Sequence, residues 1–407
     1  MNEKWRTVLL VALAELLAMG LWFSATAVIP ALTTAWQLDT GQASWLTLAV
    51  QIGFVCGAFL SALFNVADVW APRHVFALSA LLAAAANAAI ALLAEGLAVA
   101  VPLRFLTGFA LAGVYPVGMK IMATWMKEDR GLGLGLLVGA LTVGSASPHL
   151  LRGLGGVDEW RPVLYMASLL AATGGLVVWR RGHLGPFRSA PAPFRWRYAA
   201  EALRDRGVRL ANLGYLGHMW ELYAMWTWIP IFLLSAYETG GGGSWMERQP
   251  ALAAAFMAFA VIAAGGPGSL VAGFVADRWG RSRTTMASLL LSGACALFIG
   301  FLYDGHPMLL TALALVWGFA IVADSAQYSA AVSELSAQQY MGTALTLQTS
   351  MGFLLTLVSI RLLPLVAEWV GWQWAFVFLA PGPVVGLWAM RSLRKSPLAV
   401  KLAGGRG

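Results

Sequence analysis

Long apolar runs recur from one end of the chain to the other, and they limit its fold more than any other feature. A helix needs roughly 20 mostly apolar residues to cross about 30 Å of hydrocarbon. Of the 407 residues, 59% are hydrophobic and only 11% are charged, whereas a soluble domain has about 25% charged residues. A water-soluble surface cannot be built from so few charges, so the sequence predicts an all-α membrane protein.

The apolar runs can be divided into twelve predicted spans, numbered here in chain order. They cover residues 8–30, 43–66, 74–94, 97–125, 131–152, 161–180, 210–236, 250–275, 284–303, 307–327, 341–366 and 371–391. The gaps between them are too short to form a soluble domain.

The distribution of basic residues predicts the orientation of these spans. Lys and Arg concentrate in the cytoplasmic loops of membrane proteins. With the N-terminus inside, 21 of the 27 Lys and Arg residues fall in inner segments. We therefore expect a multi-pass protein of the cytoplasmic (inner) membrane with both termini cytoplasmic. The longest polar segment, 182–208, is a predicted cytoplasmic linker between six-span bundles at 1–181 and 209–407.

The net charge of +8 and the two cysteines argue against several partners and cofactors. The basic residues lie in short gaps without a recognition motif, so no nucleic-acid partner is expected. Cys56 and Cys295 lie within apolar runs, which supports neither a disulfide framework nor a thiolate metal site. We expect no metal, no cofactor and no enzymatic activity, because H-E-x-x-H and G-x-S-x-G motifs are absent from the sequence.

The two halves of the chain resemble each other at a nearly constant offset. Glu15, Met19 and Trp22 match Glu221, Met225 and Trp228, which lie 206 residues later. Further matches are Asp68 with Asp277, Gly108 with Gly318 and Trp160 with Trp374, at offsets of 209, 210 and 214. Because each half has an even number of spans, the copies share one orientation. Such a pair places a substrate site between the halves, near the bilayer midplane.

The loop between spans 8 and 9 carries the strongest motif. Residues 273–283 follow the pattern glycine, two residues, a small residue, Asp, Arg, any residue, Gly, Arg, any residue and a basic residue. The positions that define it are Gly273, Asp277, Arg278, Gly280 and Arg281. This segment resembles the signature loop of the major facilitator superfamily. The loop between spans 2 and 3 is a degenerate copy, which keeps Asp68 and Arg73 but has Asn65 in place of the first glycine.

The resemblance implies a fold and a mechanism. The family has twelve transmembrane helices in two pseudo-symmetric six-helix bundles, and helices 1 and 7 line its central cavity. Asp277, Arg278 and Arg281 would latch the cytoplasmic ends of helices in the outward-facing state. In span 4, Arg104 and Thr107 resemble the family's arginine-containing motif, which implies proton coupling. The alternative is a structural role in which Arg104 pairs with acidic residues of the outer side.

Two glutamates lie inside predicted spans, where a charge costs about 2.5 to 3.5 kcal/mol on insertion scales. Glu15, Met19 and Trp22 are spaced i, i+4 and i+7 and therefore share one helical face. The matching face of span 7 carries Glu221, Met225 and Trp228, with His218 one turn earlier. We interpret these faces as two stripes that lie opposite each other across a substrate path and carry the proton-coupling groups.

The intramembrane acids also have other interpretations. A buried carboxyl group can carry a proton near neutral pH, as coupling requires. Glu15 and Glu221 could instead be hydrogen-bonded to neighbouring helices and only fix packing, or they could bind a cationic solute directly. Asp324, toward the inner end of span 10, is either a polar group of the cavity or a residue near the interface.

Together these features predict a secondary active transporter that moves a small solute by alternating access, with a proton gradient as the expected driving force. A non-transporting membrane sensor or scaffold is the alternative from another class. Among transporters, a proton/drug antiporter and an importer of an organic solute both fit the sequence. We expect a monomer whose partners are the solute, protons and the lipid bilayer.

The two loops predict unequal effects of one substitution. Asp277→Asn should strongly impair transport while leaving expression and membrane insertion nearly unchanged, because Asp277 lies in the well-matched loop. Asp68→Asn, the matched control in the degenerate copy, should reduce transport less. Solute uptake by cells that contain equal amounts of each variant is the measurement. A larger loss with Asp68→Asn would contradict the assignment of the main latch to the second half.

Overall fold

The computed structural model describes residues 3–126, 130–187, 196–240, 243–337 and 341–406. Nearly all of these residues are helical, which confirms the predicted all-α fold class. The centre of the predicted linker, residues 188–195, lies outside the described residues.

The first half of the chain contributes helices α1 to α6. They are α1 (Glu3–Ala27), α2 (Thr40–Leu63), α3 (Pro72–Leu93), α4 in two parts (Leu97–Leu111 and Tyr115–Ala123), α5 (Arg130–Gly155) and α6 (Trp160–Arg181). Short helices Ile29–Trp36 and Val66–Val69 lie in the loops that follow α1 and α2. The start of α2 is fixed by a capping box, in which the Asp39 side chain accepts a hydrogen bond from the Gln42 backbone N–H at 2.7 Å.

The second half contributes helices α7 to α12. They are α7 (Arg206–Glu238), α8 in two parts (Pro250–Ala263 and Gly265–Trp279), α9 (Arg281–Phe298), α10 in two parts (Pro307–Ala323 and Ser325–Leu335), and α11 and α12, which share the helix Met341–Ala375. Gly371, with φ of 76°, breaks this shared helix, and α12 then continues through Phe376–Leu379 and Pro381–Arg394. Helix α7 begins inside the predicted linker because Asp205 caps it through the Val208 backbone N–H.

Ten helical segments among the described residues are long and apolar enough to cross a membrane. One of them, Met341–Arg394, contains both α11 and α12. Helix α7 is outside this set although it has 33 residues. It is buried along most of its length, so it can carry polar residues that face protein rather than lipid.

The same packing pattern occurs in both halves. In the first, α1 packs against α5 and α6, and α2 packs against α4; in the second, α7 packs against α11 and α12, and α8 packs against α10. The repeat extends to single atoms. A Cβ atom at Gly108 in α4 would meet the Val50 carbonyl of α2, and one at Gly318 in α10 would meet the Val261 carbonyl of α8. Small residues allow these helix backbones to approach closely.

The two halves meet along two seams, α5 against α8 and α2 against α11. In the first seam, Ser269 donates a hydrogen bond to the Gly135 carbonyl across the halves at 3.0 Å. The chain ends mark one face of the molecule, because His183, after α6, lies 3.3 Å from Glu3 and Arg406 donates to the carbonyl of Asp277, at the end of α8. We call this side the terminal face and the opposite side the far face.

The backbone contact at Gly108 predicts a large effect of a side chain there. Gly108→Leu should destabilise the protein by about 1–3 kcal/mol or more, because α2 and α4 must separate to admit it. Gly96→Ala is the matched control, since nothing lies within 4 Å of the added Cβ atom. Thermal unfolding in detergent measures both. Equal transition temperatures for the two variants would contradict a close α2/α4 crossing.

Candidate functional site

A central cavity lies between the two halves and is lined by helices of both. It encloses roughly 780 Å³ of empty space, including the part that is open to solvent. The lining residues are Trp22, Phe54, Tyr115, Met119, Leu134, Val138, Leu141, Thr142, Tyr215, Met219, Leu222, Tyr223, Trp226, Val322, Ser325, Ala326, Ser329, Thr349 and Phe353. A concave, mostly apolar site at the boundary between two units is the usual setting for binding a small molecule.

Aromatic rings from both halves close the far end of this cavity. The Trp22 ring of α1 lies 4.8 Å from the Phe54 ring and 5.8 Å from the Tyr223 ring. Phe353 of α11 contacts Phe54 at 4.7 Å and Tyr223 at 5.1 Å between ring centroids. These four rings, which we call the aromatic cluster, are buried and join α1 and α2 to α7 and α11.

The other end of the cavity leads toward the terminal face. A second cavity shares Tyr115, Met119 and Thr349 with the first. It is bounded by the ends of α2 and α4 and the start of α11, and its wall includes Asp68 and Lys120. The path between the halves is therefore open toward the terminal face and closed by the aromatic cluster toward the far face.

The structure separates the members of the stripe predicted on α1. Trp22 lines the central cavity, whereas the Glu15 carboxyl group packs against Gly118 in the second part of α4. Both Glu15 oxygens are buried without a hydrogen-bond partner among the described residues. Met19 is buried in the core of the protein. Glu15 thus lies inside the first half. The residue that it contacts, Gly118, is one helix turn from the cavity residue Tyr115 on α4.

The stripe predicted on α7 points into the second half. The Glu221 carboxylate accepts hydrogen bonds from Ser292 of α9 at 3.0 Å and from the Trp317 indole of α10 at 2.7 Å. Trp228 donates to the Ile360 carbonyl of α11 at 3.0 Å, and Met225 is fully buried. We predicted that the two glutamates lie opposite each other across the cavity. Instead, each carboxyl group points into its own half. Helical spacing identifies a shared face, but the neighbouring helix decides what that face meets.

His218 and Asp324 come together behind the cavity wall. His218 Nδ1 of α7 lies 2.9 Å from Asp324 Oδ1, and Tyr328 donates a hydrogen bond to Asp324 Oδ2 at 2.7 Å. All three residues are buried, and Asp324 occupies the break between the two parts of α10. The next residue, Ser325, lines the cavity, and the cavity residue Tyr215 lies 6.1 Å from the His218 ring. The cluster is therefore one side-chain layer from the central cavity.

Arg104 is fully buried in the first half, where its partners are mainly backbone carbonyls. Its guanidinium group donates to the carbonyls of Leu46 at 2.9 Å and Leu21 at 2.8 Å, and also to that of Trp22. No carboxylate of the described residues accepts a hydrogen bond from it, so the alternative of pairing with outer-side acids is not seen. Through these bonds Arg104 ties α4 to α1 and α2, and it holds α1 at the backbone of Trp22.

The predicted gate residues all lie at the terminal face. In the first half, Asp68 forms an ion pair with Lys120, and Arg73 is exposed. In the second half, Arg281 binds Glu334 at 2.6 Å and Gln327 at 2.9 Å, which ties α9 to α10.

The remaining residues of the second loop are held less firmly. The Asp277 side chain is half exposed and lies 3.9 Å from Arg281, and the Arg278 guanidinium lies over the Phe274 ring at 3.8 Å. Gly273 is buried within α8. Gly280 separates α8 from α9 with φ of 96°, a conformation that favours glycine.

Several cavity residues were missed by the sequence analysis. Phe54 and Phe353 have polar residues one helical turn away, Gln51 and Thr349, but no charged residue at that spacing that would single out their face. Tyr215 could have been found, because it precedes His218 by one helical turn. Among the described residues, no group of three or more His, Cys, Asp or Glu side chains could hold a metal ion.

Comparison with known proteins agrees with this architecture. The family model described as Major Facilitator Superfamily matches residues 11–267 and 248–406. A solved structure of the nucleoside transporter NupG, its D323A mutant, superposes with a TM-score of 0.72 over 97% of this chain and 100% of that chain, at 17% identity.

Two curated relatives are more similar in sequence over a shorter region. They are a putative uncharacterized transporter, YgaY, of Escherichia coli strain K12 and an uncharacterized transporter of the same name from Escherichia coli O157:H7. Each is 27% identical over 179 residues, which is 42% of this chain and 43% of the relative. The matched region therefore spans less than half the length of these relatives.

The different surroundings of Glu15 and Glu221 predict different effects on stability. Glu221→Leu should lower the transition temperature, because it leaves two buried donors, Ser292 and Trp317, without an acceptor at about 1–3 kcal/mol each. Glu15→Leu is the matched control and should leave stability unchanged or raise it, since the lost carboxyl group had no hydrogen bond. Thermal unfolding in detergent gives both values. The reverse order would contradict the described partners.

Proposed function

Because the chain belongs to the Major Facilitator Superfamily and is a secondary transporter, we propose that it moves a small solute across the bilayer by alternating access, coupled to protons. The observation that carries this proposal is the central cavity, which opens toward one face only and is closed toward the other by rings from both halves. Rocking of the halves would open the aromatic cluster and close the path near Tyr115 and Met119.

The seams between the halves support such a motion. At the α5/α8 seam, Gly135 and Gly139 lie against Ser269 and Gly266. Small side chains interlock less than large ones, so one half can tilt on the other with little repacking. Within each half, by contrast, buried polar contacts such as Arg104 with α1 and α2 favour movement as a rigid unit.

We assign the gate to the loops at the terminal face. The Asp277 side chain is half exposed, and its distance of 3.9 Å from Arg281 is long for an ion pair. Its carboxylate is therefore available to another partner when the halves close on that side. Arg278 and Arg281 supply the complementary charge on the same loop, and Gly273 and Gly280 shape it. Asp68 already pairs with Lys120, which fits a weaker role for the first loop, where Arg73 is its basic counterpart.

Proton coupling is assigned to the buried groups behind the cavity wall. Ionisable residues inside spanning helices are the usual proton carriers of transporters. Glu221, His218 and Asp324 occupy one side of the second half next to the cavity residues Tyr215 and Ser325, so a protonation change there can alter the wall. In the first half, Glu15 stands behind Tyr115 in the same way.

The other predicted site residues have supporting roles in this proposal. Trp22 forms part of the solute site, and Arg104 holds the α1 backbone behind it. Met19, Met225 and Trp228 pack the helices that carry the two glutamates. The distribution of basic residues supports a location in the inner membrane with the terminal face in the cytoplasm. A sensor or scaffold would not need a path open to one face.

A conservative substitution separates coupling from solute exchange. Purified protein in proteoliposomes should accumulate solute in response to a pH gradient. Glu221→Gln should abolish that accumulation but leave counterflow, because exchange requires reorientation with solute bound and no net proton movement. The Gln side chain can still accept a hydrogen bond from Trp317, so the fold is kept. Glu95→Gln, an exposed carboxyl group outside the spans, is the matched control and should change neither activity.

His218→Ala should in addition shift the pH optimum of transport, because it removes the imidazole that lies 2.9 Å from Asp324 Oδ1. Loss of counterflow in Glu221→Gln would instead assign that carboxylate to solute binding. Unchanged transport and pH dependence in both variants would show that Glu221 and His218 contribute only to packing.

A further inference from the structure

The wall of the central cavity carries no charged side chain among the described residues. In the second half, the nearest ionisable groups have partners one layer behind it, whereas in the first half Glu15, behind Tyr115, has no hydrogen-bond partner among the described residues. Asp324 is held by Tyr328 and His218, and the Glu221 carboxylate by Ser292 and Trp317. A charged solute would therefore lose its hydration without contacting a charged side chain of the wall, which costs more free energy than burial of a neutral molecule.

Aromatic side chains at the closed end of the cavity can stack with a flat ring of a solute. Trp22, Phe54, Tyr223 and Phe353 approach one another with centroid distances between 4.7 and 5.8 Å and tilted planes. Aromatic faces attract other rings in offset or edge-on arrangements. Because the rings come from both halves, a solute ring stacked on the cavity side of the cluster would contact both halves at once.

Two indole N–H groups at this end lack an acceptor. The Nε1 atoms of Trp22 and Trp226 are buried and have no hydrogen-bond partner among the described residues. The buried indoles outside the cavity differ, because Trp228 and Trp317 both donate hydrogen bonds. Buried donors are rarely left unpaired, and such a donor calls for an explanation. An acceptor on the edge of a bound solute would supply the missing partner.

Hydroxyl groups lie along the wider part of the wall. They belong to Tyr115, Thr142, Tyr215, Ser325, Ser329 and Thr349. Neutral hydroxyl groups both donate and accept hydrogen bonds, so they match solute groups of the same kind. The cavity therefore offers rings at its closed end and uncharged polar groups toward its opening.

From this arrangement we infer that the solute is an uncharged organic molecule with one planar ring and hydroxyl or carbonyl groups at its edge. The inference rests on the proposed transport function and names the substrate class of the same cavity.

A matched series of probes tests each element of this class. Thermal unfolding of the detergent-purified protein is followed with phenyl β-D-glucoside, its anionic analogue phenyl β-D-glucuronide, its cationic 6-amino-6-deoxy analogue, and ring-free methyl β-D-glucoside. Phenyl β-D-glucoside should raise the transition temperature, and the other three should not. Equal shifts from a charged analogue or from the methyl glucoside, or no shift from the phenyl glucoside, would overturn the inference.

Two tryptophans of α7 provide the variant and its control. Trp226→Phe keeps a ring but removes an unpaired donor, so it should weaken binding of phenyl β-D-glucoside about tenfold without lowering the transition temperature of the free protein. Trp220→Phe removes a donor that binds the Phe378 carbonyl at 3.2 Å, outside the cavity. It should lower the transition temperature and leave the Kd unchanged. An equal effect of both variants on the Kd would overturn the role of the cavity indoles.

Counterflow in proteoliposomes distinguishes failure of the substrate class from failure of the proposed function. Exchange of labelled phenyl β-D-glucoside, but not of its charged analogues, supports both. Exchange of a charged analogue with exclusion of the glucoside overturns the substrate class and leaves transport standing. Binding of the glucoside without any exchange overturns transport and leaves the recognition of a neutral ring standing.

Discussion

The cost of placing a charge in hydrocarbon governs how each half of this protein is built. An ionised side chain at the centre of a spanning helix costs about 2.5 to 3.5 kcal/mol on insertion scales, so each needs partners within the protein. Arg104 finds them in three backbone carbonyls, and Glu221 in Ser292 and Trp317. Asp324 lies between His218 and Tyr328. These contacts fasten helices within a half. Two groups differ: Glu15 has no hydrogen-bond partner among the described residues, and Arg361 of α11 lies at the boundary between the halves, against Gly41 of α2.

That division of contacts determines what can move. Inside each half, polar bonds and close backbone crossings, as at Gly108 and Gly318, make separation of helices expensive. Between the halves, the α5/α8 seam includes the small residues Gly135, Gly139, Gly266 and Ser269, and the aromatic cluster supplies apolar contacts. Non-directional packing can be exchanged for another arrangement at lower cost than a buried hydrogen bond. The halves are therefore the natural rigid units of a transport cycle.

The same constraint shapes the chemistry of the cavity. In the proposed cycle the solute meets the rings and hydroxyl groups of the wall, and a protonation change at Glu221 would act on it through Tyr215 and Ser325. Solute recognition and proton coupling then use different side chains that share helices α7 and α10. Such an arrangement lets a proton change the wall without competing for the solute, which differs from direct binding of a cation by the carboxylates.

The sequence by itself determined the all-α membrane fold, the repeat and the signature loop, because hydropathy, offset and motif spacing are properties of the linear chain. It also proposed Trp22 and His218 as site residues and left Asp324 between a polar group of the cavity and a residue near the interface. It could not tell that Glu15 and Glu221 point into their own halves, or that Phe54 and Phe353 close the cavity. Helical periodicity defines which residues share a face, but in a bundle every face of a central helix meets another helix. Only the tertiary packing decides whether that neighbour belongs to the same half or lies across the cavity.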